Sequence, residues 1–343
     1  MQRGVKMSLE KENFKIDEKL KKAYINSFYG TSDEIYYLII IATKILRYDF
    51  GEKSVQVDID RLYDEFVYFK YYSEMSNSYL LDFFMPIILV NRSFEHYEKI
   101  AKDLAEKLCR FYGFEARKYQ YIIDIFCYDM IIRNMLISKV NMIEILNKMK
   151  DELIEFNPYR NSKTDNIKFQ IEKIRYIEQI HRCIDSYEID KNEDLYETDI
   201  VIIDIFQCIF DKNFFEIYSK KKDYGVISVY NLLSILNGNP KEESFNVDID
   251  MKSSIYKNFI EAMSEHILRI RYGKVKVGKY NIKASPKDFL NRELGEEFLD
   301  PILNIVKIES RKIVDEGNKK KIILNLSTKT GLYKFEYRLV ENS

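Results

Sequence analysis

Tryptophan is absent from this chain, and the residues that bend or break a backbone are scarce: 11 glycines and 5 prolines in 343 residues. Glycine alone normally makes up about 7% of a protein. Tight turns and phosphate-cradling loops need residues that tolerate positive φ. The shortage therefore argues against a glycine-rich nucleotide loop and against a many-turned β-sandwich, and predicts a mainly helical protein. Histidine is nearly missing as well. His96, His181 and His266 stand far apart, and none falls in a zinc-finger or His-Glu-x-x-His spacing. His181 and Cys183 are two residues apart, so a helix turns them to different sides. The four cysteines, Cys109, Cys127, Cys183 and Cys208, are widely spaced in apolar surroundings. That pattern predicts buried thiols in a reducing compartment rather than a disulfide framework. The apolar run Tyr36–Thr43 is far too short to cross a bilayer, and Met1–Leu20 is polar and charged, unlike a secretory signal. The expectation is a cytoplasmic protein with no membrane partner. No serine nucleophile elbow, Walker loop or dinucleotide fingerprint is found.

What is present is a large supply of core. Tyrosine (27) and phenylalanine (22) are abundant, 46% of residues are hydrophobic and 32% are charged. The length suits one large domain or two unequal ones. A net charge of −1 hides a division: 251–343 carries 19 basic and 12 acidic residues, a net of +7, which leaves −8 for 1–250. The strongest breaker cluster, Asn237-Gly238-Asn239-Pro240, falls near the change of sign. The reading is an all-α domain over 1–250 and a basic C-terminal helix plus β-hairpin extension over 251–343.

Apolar spacing predicts helices over Lys11–Tyr29, Asp33–Tyr48, Ile59–Tyr72, Asn77–Val90, Phe94–Tyr112, Glu115–Leu136, Val140–Phe156, Ile167–Ser186, Tyr196–Phe210, Phe214–Lys220, Tyr224–Leu236 and Ile255–Tyr272. Gly30 should close the first, and Pro86 should kink or break the fourth. After Tyr272 the period changes to two. Val275–Ile282 reads as a hairpin about Gly278-Lys279, and Lys321–Ser327 with Leu332–Val340 as a second one. A helix over Pro301–Lys312 would cover the sheet.

One order of motifs stands out. Leu20–Gly30 leads to Thr31-Ser32-Asp33-Glu34, which opens an apolar helix. Ser76-Asn77-Ser78-Tyr79 precedes Phe84-Met85-Pro86-Ile87. Asp199–Phe210 and Phe214–Lys220 precede Lys222-Asp223-Tyr224-Gly225-Val226 and a further helix. Over about 20–240 this order resembles the ADP-ribosylglycohydrolase family, whose helical fold carries a two-magnesium site. The resemblance implies a multi-helical bundle of that kind, here with a small C-terminal α+β extension. It places Thr31, Asp33, Glu34 and Asp223 at the family's metal positions, and Asp33 and Asp223 in one cleft. At the other ligand positions the chain differs: Ser32 stands for an aspartate, Glu34 for a threonine, Gly225 for the second late aspartate and Val226 for a threonine. Magnesium needs several hard oxygen ligands, and these losses from both clusters would cripple a water-activating pair of ions. The same residues have a second reading as helix caps. Thr31-x-x-Glu34 is a capping box, Asp33 favours the helix dipole, and Asp223 suits an N-cap.

A second constellation is basic. Arg269, Arg271, Lys274, Lys276 and Lys279 run without an acid between Glu265 and Asp288, with Tyr272 and Tyr280 interleaved. Such a surface suits phosphate backbones and stacked bases; a solvated sheet edge is the plainer reading. Three functions follow as expectations. The first is a catalytically degenerate ADP-ribosylglycohydrolase-like protein that binds a nucleotide-like ligand or a protein partner. The second is a nucleic-acid-binding regulatory protein that uses the basic segment. The third is an active magnesium-dependent ADP-ribosyl hydrolase with a remodelled site. Catalytic residues and oligomeric state are not legible.

Overall fold

The computed structural model describes residues 2–73, 80–137, 141–189, 196–211, 225–238, 254–276, 285–315 and 319–340. Three helices that are apolar around most of their circumference form the centre: α2 (Asp33–Lys44), α4 (Leu81–Val90) and α6 (Lys118–Ile137). Every residue of α4 is buried. The first helix, α1 (Gln2–Asn26), packs on α10 (Gly225–Leu236) and α11 (Ser254–Arg271), and α11 also lies against α4. Beyond α6 lie α5 (Glu98–Tyr112), α7 (Met142–Glu155), α8 (Lys163–Ile189) and α9 (Val201–Cys208). All four cysteines are buried and free, as expected. Among the described residues, no helix is long and apolar enough to cross a membrane.

The C-terminal part holds an antiparallel meander of β3 (Glu297–Asp300), β4 (Asn304–Asp315), β5 (Lys319–Thr328) and β6 (Gly331–Val340). The second expected hairpin is present, with Thr328 opposite Gly331 and Leu324 opposite Phe335. One face of the sheet, including Val306, Ile308, Leu324, Leu326, Tyr333 and Phe335, is buried. It meets α3 (Ile59–Tyr72) through an aromatic seam: the ring centroid of Tyr72 lies 4.8 Å from that of Tyr333 and 5.4 Å from that of Phe335. Tyr37 of α2 donates its hydroxyl to Leu332 O at 2.9 Å. The fold is thus mainly helical with a small C-terminal sheet.

Three local expectations are corrected. The helix expected over Asp33–Tyr48 stops at Lys44, and Leu46–Asp49 (β1) pairs with Ser54–Val57 (β2). The Asp49 carboxylate accepts from Gly51 N at 2.8 Å and Glu52 N at 3.1 Å, an Asx-type turn that outcompetes further helix. The helix expected over Pro301–Lys312 is strand, because its β-branched residues alternate between buried and exposed faces and pair with β5. Of the kink or break expected at Pro86, the break is excluded, since α4 continues through it. A proline costs a helix interior about 3 kcal/mol, and complete burial of the surrounding apolar side chains outweighs that. The hairpin expected at Val275–Ile282 and the helix over Phe214–Lys220 fall largely or wholly outside the described residues.

Helix α11 ends where Gly273 turns left-handed (φ +61°), with Lys274 N bonded to Arg269 O at 2.7 Å. A Cβ at this position would lie 2.7 Å from the Tyr48 ring. Strain and clash therefore add, and Gly273→Ala is expected to lower stability by roughly 1–3 kcal/mol. A urea titration reads this directly. An unchanged midpoint would mean that the α11 terminus does not bear on the β1–β2 hairpin.

Candidate functional site

The turn between α1 and α2 is built by its own polar atoms. Ser27 Oγ donates to Tyr24 O at 2.6 Å, Gly30 adopts φ +74°, and Thr31 Oγ1 donates to Phe28 O at 3.0 Å. Ser32 is the N-cap of α2, accepting from Ile35 N at 3.4 Å. The expected Thr31–Glu34 capping box is therefore corrected: Thr31 is spent on the preceding turn, and the cap moves one residue on. Asp33 is exposed in the first turn, where it favours the helix dipole. Glu34, about 100° further round the helix, is buried and accepts from the Tyr112 hydroxyl at 3.3 Å.

This turn meets the beginning of α10. Asn231 Nδ2 donates to Tyr29 O at 2.7 Å, and Ile227 Cγ2 lies 3.2 Å from the position a Cβ would take on Gly30. The early and late motifs thus approach each other. Asp223 itself, two residues before α10, lies outside the described residues.

Beside Glu34 lies a set of polar atoms that sequence reasoning missed. Asp82 in the first turn of α4, Tyr128 of α6 and Ser228 of α10 are buried. Asp82 Oδ1 and Oδ2, Tyr128 Oη and Ser228 Oγ have no hydrogen-bond partner among the described residues. Burial pushes the Asp82 carboxyl well above the usual range; the Ser228 hydroxyl pulls the other way, and the charge of Glu34 adds to the rise. Burial, helped by Asp82, likewise pushes the Tyr128 phenol up. The result is an acid that burial biases toward its neutral form, a phenol and an alcohol, contributed by three helices. Unpaired buried polar atoms of this kind cost about 1–3 kcal/mol each. The sequence signal was there: Asp82 is a lone charge in the apolar stretch Leu80–Val90.

These residues do not fit a pair of magnesium ions. Asp33 faces solvent, Glu34 faces Tyr112, and the Thr31 hydroxyl is engaged, so the described positions do not converge on one point. Among the described residues, no group of three or more His, Cys, Asp or Glu is placed to hold a metal ion. A neutral carboxyl, a phenol and an alcohol instead suit an uncharged polar group, such as a sugar hydroxyl or a water bridging to one.

The basic set is dispersed. Arg269, Lys274 and Lys276 are exposed, and Lys279 lies outside the described residues. Arg271 is corrected from a surface cation to an internal cap. Its Nη1 donates to Leu89 O at 2.7 Å and Asn91 O at 2.9 Å, satisfying carbonyls left open at the end of α4. Tyr272 donates to Asp17 at 2.8 Å and carries Lys274 Nζ 5.2 Å over its ring, so its face is covered. Elsewhere, a cleft of about 580 Å³ between α5, α6 and α8 is lined by Glu106, Arg110, Lys118, Tyr119, Asp165 and Lys168 among others. Its charges are largely spent on one another: Asp165 accepts from Tyr119 at 2.6 Å, Ser162 at 2.7 Å and Lys118 at 3.0 Å, and these bonds hold its carboxyl well below the usual range. In comparisons with known proteins, no family model, no curated protein and no solved structure matches this chain.

Proposed function

We propose that the chain is a catalytically degenerate ADP-ribosylglycohydrolase-like protein, serving as a binding or regulatory module for a nucleotide-like ligand or a protein partner. One observation carries the reading: the turn before Glu34 meets the start of α10 beside the unpaired Asp82, Tyr128 and Ser228 groups. The order of motifs supports the scaffold. The inward turn of a single acid from the Thr31–Glu34 stretch supports the loss of chemistry. Two hydroxyls and a carboxyl that burial biases toward its neutral form suit hydrogen bonding to a hydroxyl-bearing group rather than the activation of water.

ADP-ribose is the probe. Isothermal titration is expected to show saturable binding that survives EDTA and weakens about tenfold in Ser228→Val, the loss expected of one or two buried hydrogen bonds. No binding of ADP-ribose would remove the nucleotide-like ligand. Magnesium-dependent release of ADP-ribose from a modified substrate, abolished by Asp33→Ala or Asp223→Ala, would restore the active-hydrolase reading instead. The nucleic-acid reading keeps the exposed Arg269, Lys274 and Lys276 but loses Arg271 to the carbonyls at the end of α4.

A further inference from the structure

One face of α8 carries three exposed isoleucines: Ile167, Ile171 and Ile174 are 54%, 64% and 55% exposed, with Ile171 at the rim of the cleft between α5, α6 and α8. Apolar side chains on a surface are ordinary singly. A run at i, i+4 and i+7 is not, because these positions form one stripe. Lys163 extends the same stripe toward the start of the helix, and Glu178 toward its end. At 100° per residue all five fall within an arc of about 80°. Lys163 and Glu178 are both exposed and neither makes an ion pair within 4 Å among the described residues, although the Glu178 charge is felt by Arg182 one turn on. Lys163 also stands in the first turn, where the helix dipole disfavours a cation.

A stripe with a cation at one end, an anion at the other and isoleucines between is complementary to itself when reversed. We propose that α8 is the contact through which two copies of this chain associate, antiparallel about a two-fold axis near Ile171. Such an axis pairs residue i of one copy with j of the other and j with i. It sets Ile171 against its own mate, Ile167 against Ile174, and Lys163 against Glu178, each of the latter pairs twice. The mate's anion offsets the unfavourable position of Lys163. Arg175, which approaches Lys168 of the mate in this arrangement, is already neutralised by Glu172 and by Asp199, the latter at 2.6 Å. The stripe spans only about 10 Å from Ile167 to Ile174. The dimer is therefore one of moderate affinity, visible as a concentration dependence, and not an obligate assembly.

Sedimentation equilibrium on the full chain tests this. The wild-type mass is expected to rise from 41.2 kDa toward twice that value with concentration. Ile171→Asp is expected to weaken association more than about tenfold with an unchanged melting temperature, because the side chain contributes little to the monomer. The charge swap is the sharper test. Lys163→Glu and Glu178→Lys each set like charges together twice and should each weaken the dimer. The double variant restores opposite charges and should return to within about twofold of wild type. A monomer at every concentration up to about 100 µM would overturn the proposal, leaving the stripe to a different protein. So would a dimer indifferent to Ile171→Asp, or a double variant no better than the singles.

Discussion

Replacing Glu65 with alanine is expected to destabilise the fold by about 3–5 kcal/mol, the range for removing one partner of a buried ion pair. Glu65 on α3 is 1% exposed and takes the Lys44 ammonium at 2.6 Å, with Arg61 Nε at 3.4 Å from the same oxygen. Lys44 closes α2 and donates its other bond to Ile302 O at 2.8 Å, in the turn between β3 and β4. The pair therefore ties two helices of the body to the sheet. Asp300 adds a parallel tie, accepting from the Tyr68 hydroxyl at 2.8 Å. Without Glu65, two partly buried cations, Lys44 at 13% and Arg61 at 23% exposure, are left without their shared anion. Burial already pushes the Lys44 ammonium below its usual range, and Glu65 is the largest influence opposing that. A lysine whose folded value is depressed costs stability while charged and ceases to do so as pH rises past that value. The deficit of Glu65→Ala measured by urea unfolding should accordingly shrink between neutral pH and about pH 10. Lys44→Met combined with Glu65→Leu should recover most of the loss, since well-packed apolar pairs replace buried ion pairs at little cost. It still leaves the Ile302 carbonyl without its donor. A single variant within about 0.5 kcal/mol of wild type would mean that the pair is hydrated and does not anchor the sheet.

The sequence showed which segments are helical more readily than what they pack against. The bounds predicted for Ile59–Tyr72 agree with α3 at both ends, and the second hairpin agrees with β5 and β6. Both have one strong period and clear caps or turns. The helix expected over Pro301–Lys312 failed because Ile302, Ile305, Val306 and Ile308 satisfy the helical spacing as well as a β-rich one, and only pairing with β5 decides between them. The turn at Gly30 does lie against α10, but the cleft expected between Asp33 and Asp223 is not tested, and the letters did not say which side chains turn inward. Asp33 and Glu34 are neighbours in sequence and face opposite environments. Arg271 shows the same limit. Its charge was legible; that it serves backbone carbonyls of α4 depends on a contact 180 residues away in sequence. The lone acids Asp82, Asp124 and Asp129 in apolar runs were the better guide to buried chemistry, because each must find a partner or stay neutral.

Asp124 is the acid for which the second large effect is expected, and here the sign reverses. It lies in α6, completely enclosed, and accepts the Tyr176 hydroxyl of α8 at 2.6 Å. Burial pushes its carboxyl up to about 7, with Tyr176 and Arg175 opposing and Glu172 adding. The unfolded chain titrates near 3.9. A group whose folded value is raised contributes stability that is complete below the unfolded value and is lost as pH rises through the folded one. Wild-type stability should therefore fall from about pH 4 to about pH 7, by as much as roughly 4 kcal/mol if the full rise is expressed. Asp124→Asn keeps an oxygen for Tyr176 and never ionises. The two proteins should be equally stable near pH 4, and the asparagine variant the more stable by a few kcal/mol at about pH 8. Urea midpoints across that range measure the difference. Tyr176→Phe removes a donor that favours the ionised form, so the fall should still begin near pH 4 but run to higher pH and become deeper. Parallel pH curves for wild type and Asp124→Asn would show that the carboxylate is solvated through the α6–α8 interface. The upward push that burial gives the Asp82 carboxyl would then lose its closest precedent in the same core.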